Sequence, residues 1–286
     1  MAIDKAILNK LRKFAAAFRE ARDRGANESD TVMYLVKFFE EVLGYDSLKG
    51  EISKELAIKD RYCDIALKID GTVRCLVEGK AAGIKGLVDK HIEQAENYAS
   101  KAGIRWVALT NGIEWRLYHL SWGESEGITH DLAWQANLLD EVEPNAQGLW
   151  EKLCLLSRSS VVKGLMEEYW EHKKALSPGS VVQVLFCEEV LTVVRRELNR
   201  NAPARLEMED VFNALRDALS KEALLEAGDI SMAKRRKKRQ RFTKTDAAMR
   251  QTKTEEEEVE EDEAEPPTLS PCQTDAIQQS SRKGTP

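Results

Sequence analysis

Cysteine is scarce in this sequence and is not arranged as a crosslink or ligand set. The chain of 286 residues has 5 cysteines, which are widely spaced and form no CxxC pair. An odd number at such spacing argues against a disulfide framework and against a thiolate zinc site, and it favours a reducing cytoplasm as the compartment. The positions are Cys63, Cys75, Cys154, Cys187 and Cys272.

Long hydrophobic runs and phosphate-binding loops are also missing. No stretch of about 18 apolar residues occurs, so we expect no membrane-spanning segment. Residues 3–24 repeat apolar side chains such as Ile7 and Leu11 at helical spacing among Lys and Arg, which indicates an amphipathic helix rather than a signal peptide. The sequence contains no GxxxxGK(S/T) loop, so we expect no ATPase motor in this chain.

An excess of positive charge is missing from most of the chain. The sequence has 43 basic and 49 acidic residues, a formal net charge of −6. Residues 1–233 account for 31 of the basic and 38 of the acidic residues, which leaves this part at −7. This balance excludes a broadly basic, histone-like nucleic-acid binder, although it allows a local basic groove.

The C-terminal part is polar and strongly patterned by charge. The basic run KRRKKRQR (234–241) precedes the acidic run EEEEVEEDEAE (255–265) and a Pro/Ser/Gln-rich end, so we predict a disordered tail over residues 233–286. The basic run either contacts phosphates, serves as a nuclear import signal, or pairs loosely with the acidic run. The candidate nucleic-acid contacts are Lys234, Arg235, Arg236, Lys237, Lys238 and Arg239.

The first half of the chain alternates between helical and strand patterns. Its order is helix, three strands, helix, two strands, which predicts an α/β fold with a mixed sheet and a crossover helix. Asp70-Gly71 is a tight hairpin turn signal between the second and third strands. Strands are predicted at 51–58, 64–69, 73–77, 104–110 and 113–120, and the crossover helix at 84–101.

The same patterns predict three parts along the chain. Residues 1–140 form an α/β domain that includes the N-terminal helix. Residues 145–232 have helical periodicity throughout and form a small bundle, and residues 233–286 form the tail.

Two acidic residues and a lysine converge in the predicted hairpin. Asp64 lies across from residues near 77 and 78, so its carboxylate neighbours that of Glu78 at one end of the sheet. Glu78 and Lys80 point to the same face, because strand side chains alternate. Two carboxylates this close favour a cation between them, and oxygen ligands suit Mg²⁺ or Mn²⁺. The Lys80 ammonium would orient an attacking water or stabilise charge on a phosphoryl oxygen.

These residues resemble a known nuclease pattern. Asp64 followed by Glu78-Gly79-Lys80 in αβββαβ order is similar to the PD-(D/E)xK nuclease superfamily, and Gln94 and Tyr98 match the QxxxY signature of some members. The stretch of residues 25–122 resembles the N-terminal nuclease domain of type I restriction enzyme R subunits. Glu28 matches the acidic residue that this family often supplies from its first core helix.

The resemblance implies a restriction-endonuclease-like fold and a Mg²⁺-dependent deoxyribonuclease of the restriction or defence type. It implies that Asp64 and Glu78, with Glu28 as a weaker candidate, hold Mg²⁺ or Mn²⁺. Lys80 would then activate water, and Gln94 and Tyr98 would position metal ligands or the scissile phosphate. DNA is the implied partner, and residues 145–232 are the candidate surface for a motor or specificity subunit or for self-association.

Several departures and plainer interpretations stand beside this hypothesis. Cys63 replaces the proline of the motif, and Gly79 replaces its usual aliphatic residue. Glu78 and Lys80 are also explained by an exposed ion pair, Tyr98 by a core-edge aromatic, and Glu28 by an acid favoured at a helix N-terminus. The alternative function is a non-catalytic nucleic-acid-binding or assembly protein that keeps the nuclease fold.

Overall fold

A computed structural model describes residues 2–58, 61–123, 127–201 and 205–230. Two helices begin the chain, and a six-stranded sheet with one inserted helix follows them. The elements are α1 (Lys5–Asp23), α2 (Glu28–Glu41), β1 (Ile52–Ile58), β2 (Arg61–Ile69), β3 (Thr72–Gly79), α3 (Glu93–Ala102), β4 (Trp106–Thr110), β5 (Glu114–Gly123) and β6 (Gly127–Asn137).

Helices alone follow the sheet in the described chain. They are α4 (Leu138–Glu141), α5 (Ala146–Leu153), α6 (Arg158–Val162), α7 (Leu165–Ala175), α8 (Pro178–Leu185), α9 (Glu188–Asn201), α10 (Met208–Ala218) and α11 (Lys221–Ala227). Within the described ranges, no helix is long and apolar enough to cross a bilayer.

The six strands lie in chain order from β1 to β6. All neighbouring strands are antiparallel except β3 and β4, which are parallel and joined through α3. This arrangement confirms the predicted α/β class with a mixed sheet and a crossover helix. β6 was not predicted, because most of its side chains are exposed and its sequence GITHDLAWQAN has few alternating apolar residues.

The sheet carries an apolar cluster on each face. The cluster on one face, here called the upper cluster, packs against α1 and α2. In it, Phe38 packs against Phe14 at 5.3 Å and against Trp115 at 5.0 Å between ring centroids. The cluster on the other face, here called the lower cluster, packs against α3 and includes Leu76 and Leu109. Both faces of the central strands are therefore buried, as their nearly continuous apolar sequences require.

The crossover helix begins later than the sequence predicted. α3 starts at Glu93 rather than at residue 84, because Gly86 has φ +82°, a left-handed conformation that ends helical geometry. The segment before α3 is held instead by two side chains. The Ala82 amide donates to Thr31 Oγ1 at 3.0 Å, and the Leu87 amide donates to Glu114 Oε2 at 3.2 Å.

The first helices after the sheet pack on the upper cluster, to which α5, α6 and α7 all contribute. Arg158 Nε donates to the buried Glu51 carboxylate at 2.7 Å, and Trp106 Nε1 donates to Glu167 Oε1 at 3.0 Å. A separate apolar cluster around Val182 and Phe186 joins α8 with α10 and α11. The division at residues 140–145 stays a prediction, and the predicted tail lies outside the described residues.

His119 joins β5 to α7 and generates a pH-dependent prediction. The residue is 8% exposed, and its ring stacks on Trp170 at 4.7 Å between centroids. Burial, reinforced by the nearby charge of Arg105, lowers the pKa of His119 below its usual 6.5. The unfolded chain therefore binds a proton near pH 6.5 that the folded chain takes up only at lower pH, so stability falls as the pH drops through this range.

We expect His119→Phe to remove this part of the pH dependence while keeping an aromatic ring beside Trp170. The measurement is the free energy of unfolding in urea at about pH 7.5 and about pH 5. His172→Gln, on the exposed face of α7, is the matched control and should decline as the wild type does. An equal decline in His119→Phe would contradict the assignment.

Candidate functional site

A register shift in the β2–β3 hairpin brings Asp64 and Glu78 to the same face of the sheet. Next to the turn, Lys68 pairs with Val73, but one step on Leu67 pairs with Cys75. One additional residue on β3 is thereby left out of the ladder. The shift aligns Ile65 with Val77. Extended by one residue beyond this last pair, the same register sets Asp64 across from Glu78.

The shift matters because strand side chains alternate. With the unshifted register of the turn, Asp64 would lie across from Val77 and would point away from Glu78. With the shift, the Asp64 carboxylate lies at the end of β3, where Oδ2 accepts a hydrogen bond of 2.8 Å from the Gly79 amide. The two predicted carboxylates are therefore neighbours.

Lys80 occupies the centre of the acidic cluster. Its Nζ lies 2.7 Å from Glu78 Oε1 and 3.5 Å from Glu28 Oε2. The Lys80 amide donates to the Thr110 carbonyl at 2.8 Å, which continues the parallel pairing of β3 with β4 just beyond the strand end. Glu78 and Lys80 were predicted to share one face of the sheet, and their side chains lie together in the structure.

Glu28 reaches the site from the N-terminus of α2. Asn27 caps this helix by accepting a hydrogen bond of 2.8 Å from the Asp30 amide, which fixes where the helix begins. The Glu28 side chain is about half exposed, whereas that of Lys80 is mostly buried. Glu28 thus serves as a solvent-facing member of the cluster and as a first-turn helical acid at the same time.

Gly79 explains one departure from the nuclease pattern. A Cβ atom at this position would lie 3.0 Å from Val32 Cγ2 and 3.3 Å from Leu35 Cδ1, both on α2. The absence of a side chain therefore allows α2 to approach the strand closely. This close approach is what brings Glu28 within reach of Lys80.

Burial dominates the electrostatics of Glu78. The residue is 3% exposed, and its Oε2 accepts no hydrogen bond within the described part of the chain. Burial and the charge of Asp64 raise the pKa of Glu78 to about 7, against the opposing effect of its hydrogen bond to Lys80. A carboxylate oxygen without a donor at this depth is costly unless a cation or a proton satisfies it.

The lysine stays charged in the same surroundings. Burial alone would lower the pKa of Lys80, but its hydrogen bond to Glu78 and the charges of Glu78, Glu28 and Asp64 outweigh burial and raise it. The site therefore presents one fixed ammonium group among three acidic side chains. Such a group donates hydrogen bonds and stabilises negative charge.

The donor set fits a hard divalent cation. Among the described residues, no group of three or more His, Cys, Asp and Glu side chains is placed to hold a metal ion. Mg²⁺ usually takes only one or two protein carboxylates and completes its shell with water and substrate phosphates. Asp64 and Glu78 meet that requirement, and the unsatisfied Oε2 of Glu78 is the observation that supports it.

The remaining predicted residues are placed differently. Tyr98 is 2% exposed and belongs to the lower cluster, so it packs in the core beneath α3. Gln94 lies one turn earlier on α3, and its side chain is outside the described part of the structure. The basic run at residues 234–239 also lies outside the described residues. The roles predicted for all of these residues stay predictions.

Two residues that were not predicted, Thr31 and Glu114, hold the segment that follows Lys80. Thr31 is fully buried on α2, and its hydroxyl accepts a hydrogen bond from the Ala82 amide. Glu114, at the start of β5, accepts a hydrogen bond from the Leu87 amide. Neither residue belongs to a motif. Asn27, four positions before Thr31, caps α2, and a cap residue of this type is the kind of local sequence signal that marks where a helix begins.

Comparison with known families agrees with this geometry. Residues 31–130 match the family model of the type I restriction enzyme R protein N terminus. The match covers about a third of the chain and includes Asp64, Glu78 and Lys80 but not Glu28. It confirms the predicted resemblance and indicates a restriction-type nuclease domain. No curated protein and no solved structure gives a significant match.

We expect Gly79→Ala to destabilise the protein, because the added methyl group overlaps Val32 and Leu35. Overpacking of this kind costs about 1–3 kcal/mol, and the loss should appear as a lower midpoint in urea unfolding. Gly83→Ala is the matched control, because its Cβ would meet only the Arg22 carbonyl at 3.8 Å. Equal stability of Gly79→Ala and the wild type would show that α2 does not pack closely on this strand.

Proposed function

We propose that the protein is a metal-dependent deoxyribonuclease of the restriction or defence type, which hydrolyses DNA phosphodiester bonds. One observation carries the proposal. Asp64, Glu78 and Lys80 meet at the end of a parallel β3–β4 pair inside a segment that matches a restriction enzyme nuclease family. An ion pair on a strand end explains Glu78 and Lys80 alone, but it does not explain a second carboxylate placed beside them by a register shift.

Asp64 and Glu78 would hold Mg²⁺ or Mn²⁺, which when bound supplies positive charge to the phosphoryl oxygens and to a water nucleophile. Lys80 would donate a hydrogen bond to a non-bridging oxygen or to the attacking water. In the overall reaction, water oxygen bonds to phosphorus and the P–O ester bond breaks. The leaving sugar oxygen takes up a proton from solvent and becomes a hydroxyl group, and the attacking water releases a proton.

Other residues would act through these three. Glu28 would stabilise the Lys80 ammonium from the solvent side, as its distance of 3.5 Å supports. Gln94 would contact a metal ligand or the scissile phosphate from α3. Tyr98, which is buried beneath α3, would position a metal ligand or the scissile phosphate together with Gln94, as the resemblance implies.

The proposed partners follow from the same resemblance. DNA is the substrate, and a separate motor or specificity subunit would supply translocation, because the sequence contains no GxxxxGK(S/T) loop. Residues 145–232 remain the proposed surface for such a subunit or for a second copy. The cytoplasm remains the proposed compartment.

A second candidate function is a non-catalytic nucleic-acid-binding or assembly protein. The net charge of −7 over residues 1–233 favours it, because a nuclease that acts alone usually attracts DNA through an excess of basic residues. This candidate predicts binding without hydrolysis.

We expect the wild type to cleave duplex DNA with Mg²⁺ or Mn²⁺ and to lose this activity in EDTA. Asp64→Ala and Lys80→Ala should each reduce the rate by about 100-fold or more, since each removes charge stabilisation at the reacting phosphate. The measurement is the single-turnover rate on linear and circular duplexes at equal protein concentration.

The matched controls are Asp217→Ala and Lys163→Ala, which remove the same side-chain types from exposed positions on α10 and after α6. Both should cleave at the wild-type rate. Cleavage that survives in Asp64→Ala or Lys80→Ala would rule out this site. Metal-independent binding with no cleavage by any form would support the second candidate.

A further inference from the structure

A row of directly paired residues crosses the sheet from the candidate site towards the edge strand β6. Glu78 pairs with Leu109 on β4, and Leu109 pairs with Arg116 on β5. Arg116 in turn pairs with Gln135 on β6. Directly paired residues on neighbouring strands point to the same face. Because Leu109 belongs to the lower cluster, the whole row lies on the face that α3 covers.

The row sets the spacing between Arg116 and the site. Neighbouring strands lie about 4.8 Å apart, so two strand steps separate the Glu78 and Arg116 backbones by about 10 Å. The rise of about 3.4 Å per nucleotide is measured along the duplex axis, and successive phosphates of one strand lie farther apart than this. A DNA strand whose scissile phosphate lies at Asp64 and Glu78 would therefore bring one of its next phosphates along the strand to the level of Arg116.

Arg116 and Gln135 line a cleft of about 310 Å³ at the same end of the sheet as the site. Arg116 is half-buried and Gln135 is exposed, so both are accessible from solvent. A guanidinium group binds phosphate oxygens through two parallel N–H donors, and a Gln amide supplies a further donor of the kind that contacts DNA backbones. The other lining residues are Glu114, Trp115, Ala136, Asn137, Glu141 and Lys152.

The walls of the cleft are fixed by their own contacts. Lys152 Nζ lies 3.0 Å from Glu141 Oε2, and Glu141 Oε1 accepts from the Asn137 amide at 2.8 Å. Glu114 Oε2 accepts from the Leu87 amide, which ties the cleft to the segment that follows Lys80. The Lys152 ammonium therefore offsets the charge of Glu141, which limits the repulsion between Glu141 and an incoming phosphate.

We propose that Arg116 and Gln135 form a phosphate-binding subsite for DNA, about two strands from the metal-binding carboxylates. The subsite rests on the proposed function and deepens it. It gives an acidic protein a local basic contact through which the substrate strand is held in line with Asp64, Glu78 and Lys80. Its contacts are to the backbone, so it contributes to affinity equally for all DNA sequences.

The test measures binding and cleavage of one labelled duplex by the full chain. Fluorescence anisotropy in Ca²⁺ at several salt concentrations gives Kd and its salt dependence, and single-turnover cleavage in Mg²⁺ gives the maximal rate. We expect Arg116→Gln to weaken binding about tenfold and to reduce the slope of log K against log salt by about one. The maximal rate at saturating protein should change little.

Two further variants distinguish a role of these side chains in DNA binding from a role in the stability of the fold. Arg116→Lys keeps the charge and should retain the wild-type salt slope, while Gln135→Ala, at an exposed position, should weaken binding without unfolding the protein. Arg105→Gln is the matched control. Arg105 immediately precedes β4 at the opposite end of the sheet and packs over Trp122 at 5.0 Å, so its loss should leave both slope and Kd unchanged.

The outcomes distinguish the two proposals. If the wild type cleaves DNA and Arg116→Gln binds with wild-type affinity and salt slope, the subsite is wrong and the nuclease proposal stands. If Arg116→Gln and Arg116→Lys lose binding equally, with thermal unfolding also lowered equally, the role of Arg116 is structural and the subsite is again wrong. If the wild type neither binds nor cleaves DNA with any metal, both proposals fall.

Discussion

The register shift between Leu67 and Lys68 is the constraint on which the candidate site depends. The hairpin turn at Asp70 and Gly71 sets one register near the turn, and the additional residue on β3 changes it before the strands reach the site. A displacement of one residue reverses the face of every side chain beyond it. Without the shift, Asp64 and Glu78 would lie on opposite faces, and no pair of carboxylates would exist at this edge.

Two helical layers complete the site from opposite sides of the sheet. α2 approaches β3 because Gly79 has no side chain, and its capped N-terminus then presents Glu28 to Lys80. α3 covers the other face of the sheet, and Tyr98 is one of the residues through which α3 packs on the apolar side chains of the strands. The buried Glu78 is stable in this position because Lys80 offsets part of the cost of its burial beside Asp64. The contacts that bring these charged groups together are therefore also the contacts that pack the helices on the sheet.

Much of this site could be predicted from the sequence, and the reasons are local. The turn at Asp70-Gly71, the strand patterns on either side and the alternation of Glu78 and Lys80 place three charged groups together with no knowledge of the rest of the chain. The register shift itself could not be predicted, since the sequence allowed Asp64 to face either residue 77 or residue 78. The late start of α3 was missed because Gly86 and the contacts of Leu87 to a distant strand override a helical pattern. β6 was missed because its partly exposed edge position weakens the alternation on which strand prediction relies.

The most direct test of the account is whether Asp64 and Glu78 bind a divalent cation together. We would titrate Mn²⁺ into the wild type and into Asp64→Asn/Glu78→Gln by calorimetry, with and without bound duplex DNA. The charge-matched control is Asp217→Asn/Glu222→Gln, which changes two exposed residues. The account predicts binding heat in the wild type and the control and its loss in the double variant. Equal heat in the double variant, or no heat in the wild type in either condition, would contradict it.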